Sequence, residues 1–130
     1  GLHMSNALER WHAYMESGDP QALSDMLDDD VVFESPVVHT PQRGKEITFK
    51  YLMAAAKVLG GPGFTYVGEW HGDHSAILEF ENQIDGIKIN GIDMIWWNKE
   101  GRITRFKVMV RPLKAINLLH QMMGARLAQS

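Results

Sequence analysis

Cysteine is absent from the 130 residues. Disulfides, thiolate metal sites and cysteine nucleophiles are therefore excluded. No apolar run approaches the roughly 18 residues of a membrane span. The first residues lack the charged start and apolar stretch of a secretory signal. A cytoplasmic chain with no membrane partner is the expectation. Positive charge is not in excess: 13 Lys and Arg face 16 Asp and Glu, a formal net charge of -3. No nucleic-acid partner is expected on that balance. A Gly-x-Ser-x-Gly elbow, a dinucleotide fingerprint and a P-loop are also missing. Gly60-Gly61-Pro62-Gly63 follows a helical pattern instead of opening one, and lacks the Lys-Ser/Thr ending, so it reads as a turn. His71 and His74 flank a Gly72-Asp73 turn with no third ligand, so no metal is expected there. No cofactor is expected either.

What remains is an ordinary globular composition, 45% apolar and 22% charged. One domain over residues 6–128 accounts for the length. Gly1-Leu2-His3 ahead of Met4 reads as an expression remnant.

Asn6 and Glu9 have the spacing of a capping box. Leu8, Trp11 and Met15, with Ala7 and Tyr14 beside them, then recur at helical spacing up to Gly18. Asp19-Pro20 predicts the cap and first position of a short second helix with Leu23, Met26 and Leu27 inward, stopped by Asp28 to Asp30. Val31 to Glu34 is a short β-rich run. A loop to Gly44 leads to a third helix carrying Ile47, Tyr51, Ala54, Val58 and Leu59. The second half changes period. Residues 64–70, 75–83, 87–97 and 103–110 read as four strands joined by short turns, hence as antiparallel hairpins. Arg111-Pro112 opens a last helix, with Leu113, Ile116, Leu119, Met123 and Leu127 on one face. Gly91 and Gly101 are expected bulge sites. Helices followed by an antiparallel meander define an α+β fold.

Alternation along the strands adds detail. Phe106, Val108 and Val110 oppose Arg105, Lys107 and Arg111, and Leu78 and Phe80 oppose Glu79 and Glu81. The strand of Ile92 to Trp97 has apolar residues on both faces, so each face needs a cover. Helices supply one. The other predicts a homodimer, or the C-terminal helix folded over it.

Asp93 is the most informative residue, a carboxylate inside Ile92-Asp93-Met94-Ile95-Trp96-Trp97. Burying it unpartnered costs several kcal/mol or forces its pKa upward. It is therefore a candidate acid/base, or else a structural hydrogen-bonding group. Glu34, Ser35 and His39 surround Pro36 at a strand end, where chemistry is often placed, and His39 or Glu34 is the candidate base. Trp11, Tyr14, Tyr51, Phe80 and Phe106 line an apolar ligand cavity or simply fill the core.

The segment from Glu16-Ser17-Gly18-Asp19-Pro20 through Leu27–Glu34 to Ser35-Pro36-Val37-Val38-His39 resembles the first half of nuclear transport factor 2-like proteins. Gly91 to Ile103 resembles their penultimate hairpin. Phe106 to Pro112 is similar to members called SnoaL-like domains. The resemblance implies a cone-shaped, bent antiparallel sheet wrapped by helices, the cystatin-like arrangement, with a pocket for a small apolar ligand and frequent dimers through the sheet's outer face. Steroid Δ-isomerases of this fold carry an aspartate at the Asp93 position, where it donates to a developing oxyanion. Their base aspartate falls at Ser35 and their oxyanion tyrosine near Trp11, with Tyr14 a turn further on. Limonene epoxide hydrolases of this fold have an aspartate about where Val108 stands and an arginine about where Gly91 stands. SnoaL-like cyclases use an aspartate acid/base in the Asp93 region. The resemblance thus implies an isomerase or cyclase working at an enolisable carbonyl through Asp93, with a non-catalytic binding module or a dimeric scaffold as the alternative.

Overall fold

The protein is described by a computed structural model over residues 2–128, with side chains from Ala7 onward. Four helices wrap one bent six-stranded sheet. In chain order they are α1 (Leu2–Ser17), α2 (Pro20–Met26), β1 (Leu27–Glu34), β2 (Gln42–Arg43), α3 (Lys45–Leu59), β3 (Thr65–His71), β4 (Ser75–Ile84), β5 (Ile87–Trp97), β6 (Ile103–Arg111) and α4 (Leu113–Ala128). The sheet order is β2-β1-β6-β5-β4-β3. The last four strands form the expected antiparallel meander, whereas β1 runs parallel to β6. No helix among the described residues is long and apolar enough to cross a membrane.

The helical start and stop signals act locally. Asp19 accepts a hydrogen bond from the Gln21 backbone N–H at 3.0 Å, capping α2 with Pro20 at its first position. Asn6 was expected to cap α1, but the helix begins before it. The Asn6 side chain and Gly1 lie outside the described residues. The three aspartates do not end α2 in a loop. The chain passes straight into β1 at Leu27, and Asp28 to Asp30 form its outer half. In α4 the inward residues are Ala115 and Leu119, while Leu113 is exposed. The buried stripe runs through Ala115 and Leu119, four residues apart, with Met122 and Met123 partly buried beyond them, which leaves Leu113 outside it.

The β4–β5 hairpin turns through Asp85-Gly86, both with positive φ, the two-residue turn that suits the strand twist. Gly91 is not a bulge: the β4–β5 ladder runs unbroken through Phe80 and Gly91. The register shifts fall instead between Leu27 and Val32 where β1 meets β6, between Tyr66 and Gly68 in β3, and at Thr104 of β6, opposite Trp96 and Trp97. The shift at Val67 brings Glu69 opposite Leu78 and Trp70 opposite Ile77. The inner face therefore carries Leu78, Phe80, Asp93, Ile95, Phe106 and Val108, all buried. Ile77, Ile92, Met94 and Trp96 stand on the outer face and are only partly covered.

Candidate functional site

Ile89, Gly91, Asp93, Ile95 and Trp97 alternate inward along β5. This period of two delivers a carboxyl group to the concave side of the sheet. Asp93 is 7% exposed. Its ladder partners are Leu78 and Val108, neither of which offers a hydrogen bond. The partner comes from β3, beyond β4: the Tyr66 hydroxyl donates to Asp93 Oδ2 at 2.6 Å. The Trp11 indole N–H of α1 in turn donates to the Tyr66 oxygen at 3.0 Å. Burial pushes the Asp93 carboxyl up to about 7, and the Tyr66 hydrogen bond opposes that rise. Burial, with the nearby Asp93 charge, holds the Tyr66 phenol well above its ordinary range.

Asp93 lies in the wall of a cavity of about 70 Å³ between the sheet and the helices. Trp11 and Tyr14 of α1 form one side, Leu52, Ala55 and Leu59 of α3 the next, and Leu119 and Met123 of α4 another. Phe80, Phe106 and Val108 form the sheet side, and Ser35 with Pro36 closes the end of β1. The lining is almost wholly apolar, so a polar atom entering it meets Asp93 as its principal partner. Met15, Gly60 and Phe64 line both this cavity and an outer groove of about 330 Å³ that also contains His12, Thr65 and Tyr66.

The residues expected from sequence fall into two groups. Asp93, Trp11, Tyr14, Ser35, Phe80, Phe106 and Val108 meet at the cavity. Tyr14 directs its hydroxyl at Met53 sulfur, 3.7 Å away in α3, and burial raises its pKa. Ser35 Oγ accepts the Val37 backbone N–H at 3.1 Å and so closes the turn after β1. Tyr51 packs on Phe33, centroid to centroid 5.6 Å, behind the lining. Glu34 and His39, the expected bases, do not reach the cavity. Val31 and Phe33 point inward, so Glu34 must point outward. There it pairs with Arg105 at 2.5 Å and Lys107 at 3.8 Å. The Arg105 hydrogen bond holds its carboxyl below the usual range. His39 lies exposed in the loop after β1.

Tyr66 is the residue the sequence reading missed. Its signal was a bond left unmade: a buried carboxylate whose adjacent strands supply no inward donor needs one from further away. Among the β3 residues Tyr66 has both the reach and the inward side, opposite Phe80.

The chain belongs to the SnoaL-like domain family, whose pattern matches residues 8–106. A steroid Δ-isomerase from Pseudomonas aeruginosa is 32% identical, with a TM-score of 0.92 over 99% of this chain and 94% of that one. A protein with a cystatin-like fold from Silicibacter pomeroyi is 26% identical, with a TM-score of 0.86 over 95% of this chain and 86% of that one. A nuclear transport factor 2-like protein of unknown function from Mesorhizobium loti shares the fold at 19% identity, TM-score 0.72, over 85% of this chain and 92% of that one. No curated protein matches the chain.

Proposed function

We propose that this protein binds a small, largely apolar carbonyl compound and polarises it toward its enol, as an isomerase does, with Asp93 as hydrogen-bond and proton donor. The observation that carries this reading is the Asp93 carboxyl, buried in the wall of an apolar cavity with its pKa raised to about 7. A neutral carboxyl in such a site can donate to an oxygen on which charge develops. The likeness to a steroid Δ-isomerase supports the same chemistry. The free volume of about 70 Å³ suits a small ring, and the groove beyond Met15 and Phe64 receives a larger ligand's remainder.

A second reading, binding without turnover, draws on Ser35. The resemblance puts the base carboxylate at this position, and among the described lining residues only Tyr14 is ionisable besides Asp93. Without a base there, catalysis would need water at the mouth to take the carbon-bound proton, which favours binding alone. Cyclohexanone in deuterated buffer separates the two. Catalysis predicts α-proton exchange above the buffer rate, abolished in Asp93→Asn. A pure binder perturbs the Asp93 carboxyl resonance without exchange. Neither effect at saturating ketone would sink both readings.

We also propose that a second copy of the chain covers the outer sheet face. Trp70, Ile77 and Met94 form one apolar row across β3, β4 and β5. Trp70 is 57% and Met109 49% exposed. The C-terminal helix does not cover this side, because Leu119 and Met123 of α4 face the cavity.

A further inference from the structure

Asp93 and Trp11 of the cavity wall are joined through Tyr66, and the donor chemistry of the three gives the line a direction. An indole N–H can only donate. Trp11 Nε1 therefore fixes the Tyr66 oxygen as an acceptor, at 3.0 Å. The one hydroxyl hydrogen of Tyr66 is left for Asp93 Oδ2, at 2.6 Å. If neutral Asp93 instead carried its proton on Oδ2, it would have to donate to Tyr66. The buried Tyr66 hydrogen would then lose its partner, at a cost of about 1–3 kcal/mol. Among the described residues no group donates to or accepts from Oδ1. Nor is Oδ1 sealed off: it is not among the fully buried atoms that lack a partner.

We infer that Trp11 and Tyr66 are positioning residues that confine the proton of neutral Asp93 to Oδ1, so that the site presents one fixed donor to a ligand's oxygen. This rests on the reading above that a carbonyl oxygen enters the cavity, and it sharpens the ligand class. The favoured ligand carries a hydrogen-bond acceptor with no hydrogen of its own, a ketone or enone oxygen. An alcohol at the same place offers a donor that neutral Asp93 is not oriented to accept. Ionised Asp93 reverses the preference, because Oδ1 then only accepts.

Other titratable groups bear little on Oδ1. From α1, Tyr14 lines the cavity with its hydroxyl turned to Met53. On β3, Glu69 is occupied by His12 and His71 at the rim. On β6, Arg105 and Lys107 point to the opposite face, toward Glu34. The α3 and α4 residues of the lining are apolar.

The test is carboxyl-carbon NMR titration of the unliganded protein, followed by titration with cyclohexanone and cyclohexanol. In the unmodified protein the Trp11 indole N–H and the Asp93 carboxyl are expected to shift with one common midpoint. Tyr66→Phe removes a hydrogen bond to the ionised form and is expected to raise that midpoint by about one pH unit. Trp11→Phe frees Tyr66 to accept from neutral Asp93. It is expected to raise the midpoint as well, and to erase at low pH the preference for ketone over alcohol. Ketone affinity in the unmodified protein should fall about tenfold per pH unit above the midpoint. An Asp93 midpoint unmoved in folded Tyr66→Phe, or a Trp11 signal blind to it in the unmodified protein, overturns the inference. Absence of ketone binding with these couplings intact overturns the functional reading and leaves the hydrogen-bond chain standing.

Discussion

Gly91 stands directly opposite Phe80 in the β4–β5 ladder, and the Phe80 ring fills the space into which a side chain at Gly91 would project. A Cβ at Gly91 would fall 2.5 Å from Phe80 Cζ and 2.6 Å from the Met109 carbonyl oxygen. The ring can turn aside; the backbone oxygen cannot without disturbing the β5–β6 pairing. Gly91→Ala is expected to destabilise the fold by about 1–3 kcal/mol. Thermal denaturation checks this, and an unchanged midpoint would show that the crowding is relieved without cost.

Asp93 ties stability to pH. Its folded pKa, about 7, lies above its ordinary 3.8. Below pH 4 both folded and unfolded chains hold the proton, and the group costs nothing. Between about 4 and 7 the folded chain keeps the proton that the unfolded chain releases, so stability falls as pH rises. Above 7 the full cost, on the order of 4 kcal/mol, is present. Asp93→Asn is expected to gain stability over the unmodified protein as pH rises from 4.5 to 8. Urea denaturation at both pH values decides it; equal differences would mean that the carboxyl is not titrating in this range.

Glu34 behaves in the opposite sense and at small scale. Arg105 holds its pKa down, so its contribution is present above the ordinary value and lost as pH falls through the lowered one. The pair is partly solvated, and Glu34→Gln is expected to cost under about 1 kcal/mol. Ketone binding and the Asp93 titration should be unaffected. A large loss of either would return Glu34 to the site.

The outer sheet face gives a mass measurement. Light scattering coupled to size exclusion is expected to report a dimer, and Met94→Glu, in the middle of the Trp70–Ile77–Met94 row, a monomer of native circular dichroism. A monomeric unmodified protein would refute the second copy as the cover of this face.

Much of this was legible in the sequence because periods of 3.6 and 2 report which side of an element is dry. Inward Trp11, Tyr14, Phe80, Phe106 and Asp93 could all be read that way. Asp93 was visible as a charge at a position whose period demanded an apolar residue. Its partner was not, because contacts beyond the neighbouring strand depend on curvature and on the register shift at Val67, which leave no mark on periodicity. The placing of Glu34 shows the converse. The alternation of Val31 and Phe33 already assigned it to the outer face, and proximity to Pro36 drew it toward the site. The parallel pairing of β1 with β6 is set by long-range packing and has no local signature.

The register shift at Val67 has a consequence for how such a site changes over time. One extra residue decides that Tyr66 and Glu69 share the concave side while Trp70 faces away. Were the same residues paired without the bulge, Gly68 and Trp70 would follow Tyr66 onto the concave side and Glu69 would leave it. The groups offered beside Asp93 are thus encoded partly in which residue of β3 is left unpaired, so chains of equal length and nearly equal sequence can present different rims if one bulges here and the other does not.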